Sequence, residues 1–229
     1  MVERVDLCVR RRGFLSGVSG AAVCLLGSAG LAVAADEKTL VSQGWKALFD
    51  GKTLNGWEGD SAWFRVDGGA IVGGKLTERI PHNFFLSSGE EYGDFELQLE
   101  FRLIGESTNA GVQLRSRRIP DHHEMIGYQA DLGQKYWGAL YDESRRNRVL
   151  AGPDEAGLAK VLKKEDWNRY RILCEGRRIQ LWINDFQTVD YEEEDAGIEQ
   201  RGLIALQIHG GAPGEVHYRR LRIRELAGG

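Results

Sequence analysis

Cysteine is scarce in this chain: Cys8, Cys24 and Cys174 are the three in 229 residues. The first two fall in a leader-like segment, so the remainder holds one thiol and an intrachain disulfide is excluded. Cys174 sits in the apolar pattern Arg171-Ile172-Leu173-Cys174-Glu175-Gly176, which predicts a buried small hydrophobe and not a nucleophile. An excess of basic charge is missing too. The formal net charge is −4, which argues against nucleic acid as a partner. No long stretch repeats its apolar residues at helical period, and neither an internal repeat nor a low-complexity linker is present.

What is there begins with an address. Arg10-Arg11-Arg12 precedes Gly13-Phe14-Leu15, and an apolar stretch rich in Ala, Gly and Leu runs from about Val18 to Val33. It ends in Ala32-Val33-Ala34, a small-x-small cleavage pattern, so residues 1–34 read as a signal peptide. The Arg11-Arg12 pair points to the twin-arginine route and to a periplasmic or secreted protein. A membrane anchor fits less well, because the segment is short and rich in Gly and Ser. Lipidation at Cys24 is disfavoured by Val23 before it. The leader carries four arginines against Glu3 and Asp6, a net +2, so residues 35–229 carry −6. A twin-arginine substrate folds in the cytoplasm before export, which agrees with the absence of disulfides.

Residues 35–229 are expected to form one domain with no membrane span. Their dominant period is two. In Asp94-Phe95-Glu96-Leu97-Gln98-Leu99-Glu100-Phe101-Arg102-Leu103 the apolar residues alternate with polar ones throughout. Val112 and Leu114 alternate with Gln113, Arg115 and Arg117; Tyr128, Ala130 and Leu132 with Gln129 and Asp131; Ile204, Leu206 and Ile208 with Gln207 and His209. Residues 168–185 predict a hairpin turning at Glu175–Arg178, and residues 217–226 a last strand. Residues 152–167 read as a long polar connection with a helical turn, and residues 191–200 as a solvated acidic connection. Many short antiparallel strands in a chain of this length predict an all-β sandwich or jelly roll.

One face of these strands is unusual. Gln113, Arg115, Gln129, Asp131, Gln207 and His209 are planar, hydrogen-bonding groups at matching strand phase, suited to the vicinal hydroxyls of a sugar on a concave sheet. Residues 136–150, YWGALYDESRRNRVL, read as a rim loop after the Gln129–Asp131 strand. Its Tyr136, Trp137 and Tyr141 would wall a pyranose, with Asp142, Glu143, Arg145 and Arg146 supplying proton transfer and hydroxyl recognition. Internal pairs of Asp142 or Glu143 with Arg145 or Arg148 would alternatively just hold the loop. Asp131 is the first choice for a general base, kept ionised by Arg115, with His209 second and Glu143 a further acid or base.

Taken in order, several motifs carry a resemblance: Leu48-Phe49-Asp50-Gly51-Lys52, Gly56-Trp57, Asp67-Gly68, YGDFELQLEFRL (92–103), NAGVQLRS (109–116), GYQADLG (127–133), DWNRYRI (166–172) and GLIALQIHGG (202–211). Together, from about 44 to 226, the chain resembles the 3-keto-disaccharide hydrolase domain family. The resemblance implies a concanavalin A-like jelly roll of two antiparallel sheets. It departs at Gln113, where many members carry tyrosine, and at Gln129, where the usual residue is glutamate.

The implied chemistry starts from a glycoside oxidised to a ketone at C3. A base removes the C2 proton, the C1 substituent leaves, and water adds back. This needs a base, an acid and a stabiliser for the enolate. Arg115 and Arg145 could take the last role, or a divalent metal could, with Asp131, Glu124, Asp142, Glu143, His209 and the His122-His123 turn as ligand types. No spacing here is a metal motif. A partner sugar 3-dehydrogenase would supply the ketone. Two rivals stand beside this chemistry, the first discounted and the second open. Ordinary glycosidase chemistry needs paired carboxylates, and Glu193, Asp195 and Glu199 are misspaced for it. A lectin-like module would use the same face and aromatics without a base.

Overall fold

A computed structural model describes residues 41–227, so the segment expected to be a leader, with its cleavage pattern, lies outside the described residues. Among the described residues, fifteen strands form two antiparallel sheets. In chain order they are β1 (Lys46–Ala47), β2 (Trp57–Glu58), β3 (Phe64–Asp67), β4 (Ala70–Lys75), β5 (Phe84–Tyr92), β6 (Phe95–Ile104), β7 (Asn109–Arg118) and β8 (Met125–Gly133). There follow β9 (Leu140–Glu143), β10 (Arg148–Ala151), β11 (Asn168–Glu175), β12 (Arg178–Ile183), β13 (Phe186–Glu192), β14 (Gly202–Ile208) and β15 (Gly214–Glu225). One sheet runs β13-β12-β11-β6-β15-β4-β3, with β1 added beside β15. The other runs β10-β9-β8-β7-β14-β5-β2. The expected jelly-roll sandwich is the fold.

The alternation explains the layers. Phe95, Leu97, Leu99, Phe101 and Leu103 from β6 meet Val112 and Leu114 from β7 and Ile204, Leu206 and Ile208 from β14 in one buried cluster. Each of these side chains, taken out of water, contributes on the order of 1.5–3 kcal/mol. The Tyr218 hydroxyl crosses between the layers, reaching the carbonyls of Gly111 at 2.9 Å and Gln207 at 3.1 Å. Cys174 is buried in this core as expected, and burial pushes its thiol up to about 12, which leaves it unreactive.

The connections fit their sequences less evenly. Asp154 caps the helical turn Glu155–Leu158 by accepting the Gly157 N–H at 3.0 Å. Residues 191–200 are not simply a solvated acidic run, because Glu193 is buried. YWGALYDESRRNRVL is not a loop either: it contains β9 and β10, a hairpin at the edge of the seven-stranded sheet. Among the described residues, no helix is long and apolar enough to cross a membrane.

Candidate active site on the seven-stranded sheet

Register decides which side chains share the outer face of this sheet. Gln129 of β8 stands opposite Gln113 of β7 on one side and Tyr141 of β9 on the other. Asp131 stands opposite Gly111, which in turn pairs with Gln207 of β14. The neighbours of these residues along each strand, Val112, Tyr128, Ala130, Leu140, Leu206 and Ile208, lie in the core cluster. By alternation, Gln113, Gln129, Asp131 and Gln207 therefore lie on the opposite face, as the sequence pattern predicts, and Tyr141 and Glu143 of β9 join them there. Gly111 permits this arrangement, since a Cβ there would come within 2.7 Å of the Gln129 side chain.

The face is more enclosed than the sequence suggests. Gln113 and Gln207 are 0% exposed, Gln129 2% and Asp131 4%. Beside them a second small apolar cluster, Phe85, Met125 and Ala205 with Leu203, lies apart from the main core. The polar groups satisfy one another in a chain. Ser116 Oγ donates to Gln113 Oε1 at 2.5 Å, and Gln113 Nε2 donates to Gln129 Oε1 at 2.7 Å. Gln129 Nε2 donates to Asp131 Oδ1 at 2.6 Å and to Gln207 Oε1 at 3.1 Å. Gln207 Nε2 is buried without a partner.

Two carboxyl groups on this face are raised toward neutrality. Burial pushes Asp131 up to about 8; donation from Gln129 opposes this, and the charge of Glu143 adds to it. Burial pushes Glu143 up to about 7, with further raising by Glu124 and Asp142 and an opposing hydrogen bond from the Ser144 N–H. Tyr141 is raised as well, by burial first and then by Glu143, so it stays a neutral hydroxyl donor. Tyr136 meets Tyr141 edge-on at 6.2 Å.

Sequence reasoning singled out Glu124 only as a metal-ligand type. The structure holds it between the Asn83 amide, at 3.0 Å, and His123 Nε2, at 3.2 Å. Five rings, Trp63, Phe84, His82, His123 and His122, follow one another at centroid distances of 4.2–4.8 Å and tie the β7–β8 turn to the β4–β5 connection. Asn83, His82 and the stack lie outside any periodic stretch, so no strand pattern could have pointed to them. Among the described residues, no three His, Cys, Asp or Glu side chains gather closely enough to hold a metal ion.

Several expected members lie elsewhere. Arg115 occupies a β-bulge between Leu114 and Arg117, with φ 48°, and the extra residue turns its side chain off the face. Its guanidinium is fully buried and donates to Gly93 O, Gly176 O, Gln200 Oε1 and Asp94 Oδ1. It neither neighbours Asp131 nor holds it ionised. Ser116 takes the place at Gln113 that alternation assigned to Arg115. Asp142 faces inward, 0% exposed, and pairs with Arg145 and Arg146. Arg145 stacks on the Tyr128 ring at 4.5 Å, and Arg146 binds Glu193 at 2.6 Å. Against the cost of burial, Arg146 and the Tyr128 hydroxyl hold Glu193 down at about 2. The loop-holding alternative is therefore the right one for Asp142, Arg145 and Arg146. Trp137 is partly buried and packs against the main core, its ring 6.2 Å from that of Phe101. His209 is exposed one residue past β14, its Nδ1 2.6 Å from Gly210 O.

Arg115→Lys is expected to destabilise the fold by about 2–3 kcal/mol, because one ammonium cannot serve the four acceptors that the buried guanidinium reaches. Urea denaturation checks this, and an unchanged midpoint would contradict the assignment of Arg115 to structure.

The comparisons follow from this architecture. A family model, the 3-keto-alpha-glucoside-1,2-lyase-like domain, matches residues 44–224. The chain belongs to that family. Membership makes it a carbohydrate-handling domain, glycosyl-hydrolase-like or carbohydrate-binding. Among proteins of curated function, none matches by sequence. A Parabacteroides distasonis structure, provisionally named a glycosyl hydrolase, superposes with TM-score 0.64 at 17% identity, covering 84% of this chain and 98% of that one. A second, from the same organism and named alike, gives TM-score 0.59 at 20% identity over 80% and 99%. The Bacillus subtilis carbohydrate-binding module CBM66 gives 0.53 at 14% over 80% and 96%. These likenesses bear on the fold of this family member alone.

Proposed function

We propose that this domain cleaves 3-keto glycosides by elimination followed by hydration, on the outer face of the seven-stranded sheet. The observation that carries the reading is a pair of carboxyl groups on one face, Glu143 and Asp131, both raised toward neutrality within a family named for a 3-keto-glucoside lyase. Glu143, the less enclosed of the two, is the base that takes the proton from C2. The electrons form the C2–C1 double bond as the C1–O bond breaks. Asp131, neutral at its floor position, protonates the departing oxygen, and the Tyr141 hydroxyl donates to the oxygen of the enolate. Water then adds at C1 and a proton returns to C2, giving net hydrolysis. The roles differ from the simplest reading of the sequence, in which Asp131 is the base, because its burial without an arginine partner favours the acid form.

The ketone requires prior oxidation of the sugar, so a sugar 3-dehydrogenase is the expected partner. The direct test is incubation of purified protein with a 3-keto glycoside and with its unoxidised parent, each with and without chelator. Turnover of the oxidised sugar alone supports the reading. Cleavage of the parent would replace it with ordinary glycosidase chemistry, and saturable binding of either sugar without turnover would make the domain a lectin-like module. Sensitivity to the chelator would add a metal to the enolate stabilisers.

The site of action follows from the leader. Export through the twin-arginine route predicts that replacing Arg11 and Arg12 together with lysine traps the precursor in the cytoplasm, read by fractionation and immunoblotting. Unchanged export of that variant would contradict the route.

A further inference from the structure

We infer that Ser116, Gln113 and Gln129 form a reversible hydrogen-bond relay that decides which oxygen of Asp131 carries its proton, with Ser116 as the positioning residue that sets its direction. The role given to Asp131 rests on the proposed function; the relay itself does not.

Every member is buried, and each amide must present its NH2 to one neighbour and its oxygen to the other. In the direction seen, donors run from Ser116 to Gln113 to Gln129 to Asp131, so Asp131 Oδ1 only accepts. Its proton must then sit on Oδ2, free to be given away. In the opposite direction, Asp131 Oδ1–H donates to Gln129, Gln129 to Gln113, and Gln113 to Ser116 Oγ. The Ser116 hydroxyl has an outlet for that state, since the Leu114 carbonyl lies 3.0 Å away. Reversal would also satisfy an orphan. Gln207 Nε2 has no partner as seen, but with both amides turned it donates to Gln129 Oε1. An unpaired buried donor costs about 1–3 kcal/mol, so the direction seen needs a counterweight. The counterweight is the Ser116 donor bond, which spans 2.5 Å to Gln113 Oε1 in the direction seen and falls back on the Leu114 carbonyl at 3.0 Å in the reverse.

The β7 bulge is what installs it: by turning Arg115 away, it brings Ser116 to Gln113. A Cβ at Gly127 would meet Ser116 Oγ at 2.1 Å, so that glycine keeps the hydroxyl's place open. The titratable groups coupled to Asp131 are Glu143 and Tyr141 of β9 on the same face, and Tyr170 and Tyr218 from the eight-stranded sheet. None of them is a member of the relay; besides Gln113, the Ser116 hydroxyl reaches the Leu114 and Tyr128 carbonyls, at 3.0 and 3.4 Å.

Two variants test the relay. Ser116→Ala removes the counterweight, and is expected to lower kcat about tenfold, with KM within about twofold, the loss of roughly one net hydrogen bond's bias. Gln113→Glu keeps the shape but offers only acceptors, so Gln129 must turn its NH2 toward it, and kcat should fall to the level of Asp131→Asn. The independent readout is the infrared carboxylic C=O band of Asp131, isolated by subtracting the Asp131→Asn spectrum and titrated without any substrate. In Ser116→Ala that band is expected to change frequency and its titration midpoint to shift. Should the band and midpoint match wild type in a folded Ser116→Ala protein, the relay is wrong whatever the turnover. If they shift while wild type turns over no keto sugar, the relay stands and the catalytic reading fails. Should Gln113→Glu not fold, Ser116→Ala alone decides.

Discussion

Glu143→Gln is expected to lower kcat on a 3-keto glycoside by about a thousandfold while KM changes little, the scale of a lost general base. The amide keeps the size and hydrogen-bonding reach of the side chain but cannot accept the C2 proton. The wild-type pH profile should show the same pair of groups. Glu143 must be ionised and Asp131 protonated, so kcat/KM rises through about 7 and falls through about 8, a narrow bell whose limbs belong to the coupled pair. Because the charge of Glu143 helps raise Asp131, Glu143→Gln should also lower the substrate-free titration midpoint of Asp131. Steady-state kinetics across pH 6–9 check the first expectation. A variant within about threefold of wild type would remove Glu143 from the mechanism.

Asp131→Asn is expected to lose activity and gain stability. The Asp131 carboxyl titrates near 8 when folded, against about 3.9 in an unfolded chain. Between those values the folded protein holds a proton that the unfolded chain has released. Folded-state stability from this group is therefore fully present below about pH 4 and is lost progressively as pH rises to about 8. Each pH unit in that window costs up to about 1.4 kcal/mol, and relaxation around the ionised group reduces the total to roughly 3 kcal/mol. Asparagine cannot ionise, and its Oδ1 still accepts from Gln129. At pH 8 the variant should melt about 5–10 °C higher than wild type, and the advantage should shrink toward zero near pH 4. Turnover should drop about a hundredfold for want of the proton donor, with sugar binding retained. Thermal melts at pH 4, 6 and 8 decide it: an advantage that fails to grow with pH would mean that Asp131 is not held as a buried acid.

Much of the fold is written in strand period. Once Phe95 to Leu103 alternate, one face must be apolar, and the same logic correctly places Val112, Leu114, Ile204, Leu206 and Ile208 inside. It also places Gln113, Gln129, Asp131 and Gln207 together, because register carries phase from strand to strand. Where a bulge breaks the count, phase fails. Arg115 reads as a site residue two positions after Gln113, yet one extra residue turns it into a structural anchor. The charges of YWGALYDESRRNRVL mislead for another reason. Charged residues in a short run look solvated, whereas Asp142 is fully buried because Arg145 and Arg146 fold back on it. That pairing depends on Glu193, about fifty residues further along the chain, and no local pattern could show it. The enclosure that makes Asp131 an acid is likewise a property of packing and not of any motif.

The central claim is that proton abstraction at C2 starts the reaction, and deuterium reports it most directly. A 3-keto glycoside is turned over in D2O, and the released 3-keto sugar is followed by proton NMR, with heat-treated protein as the control for spontaneous exchange. Deuterium is expected at C2 of the product with wild type, and neither cleavage nor enzyme-dependent exchange with Glu143→Gln. Cleavage that leaves the original C2 proton in place would contradict it.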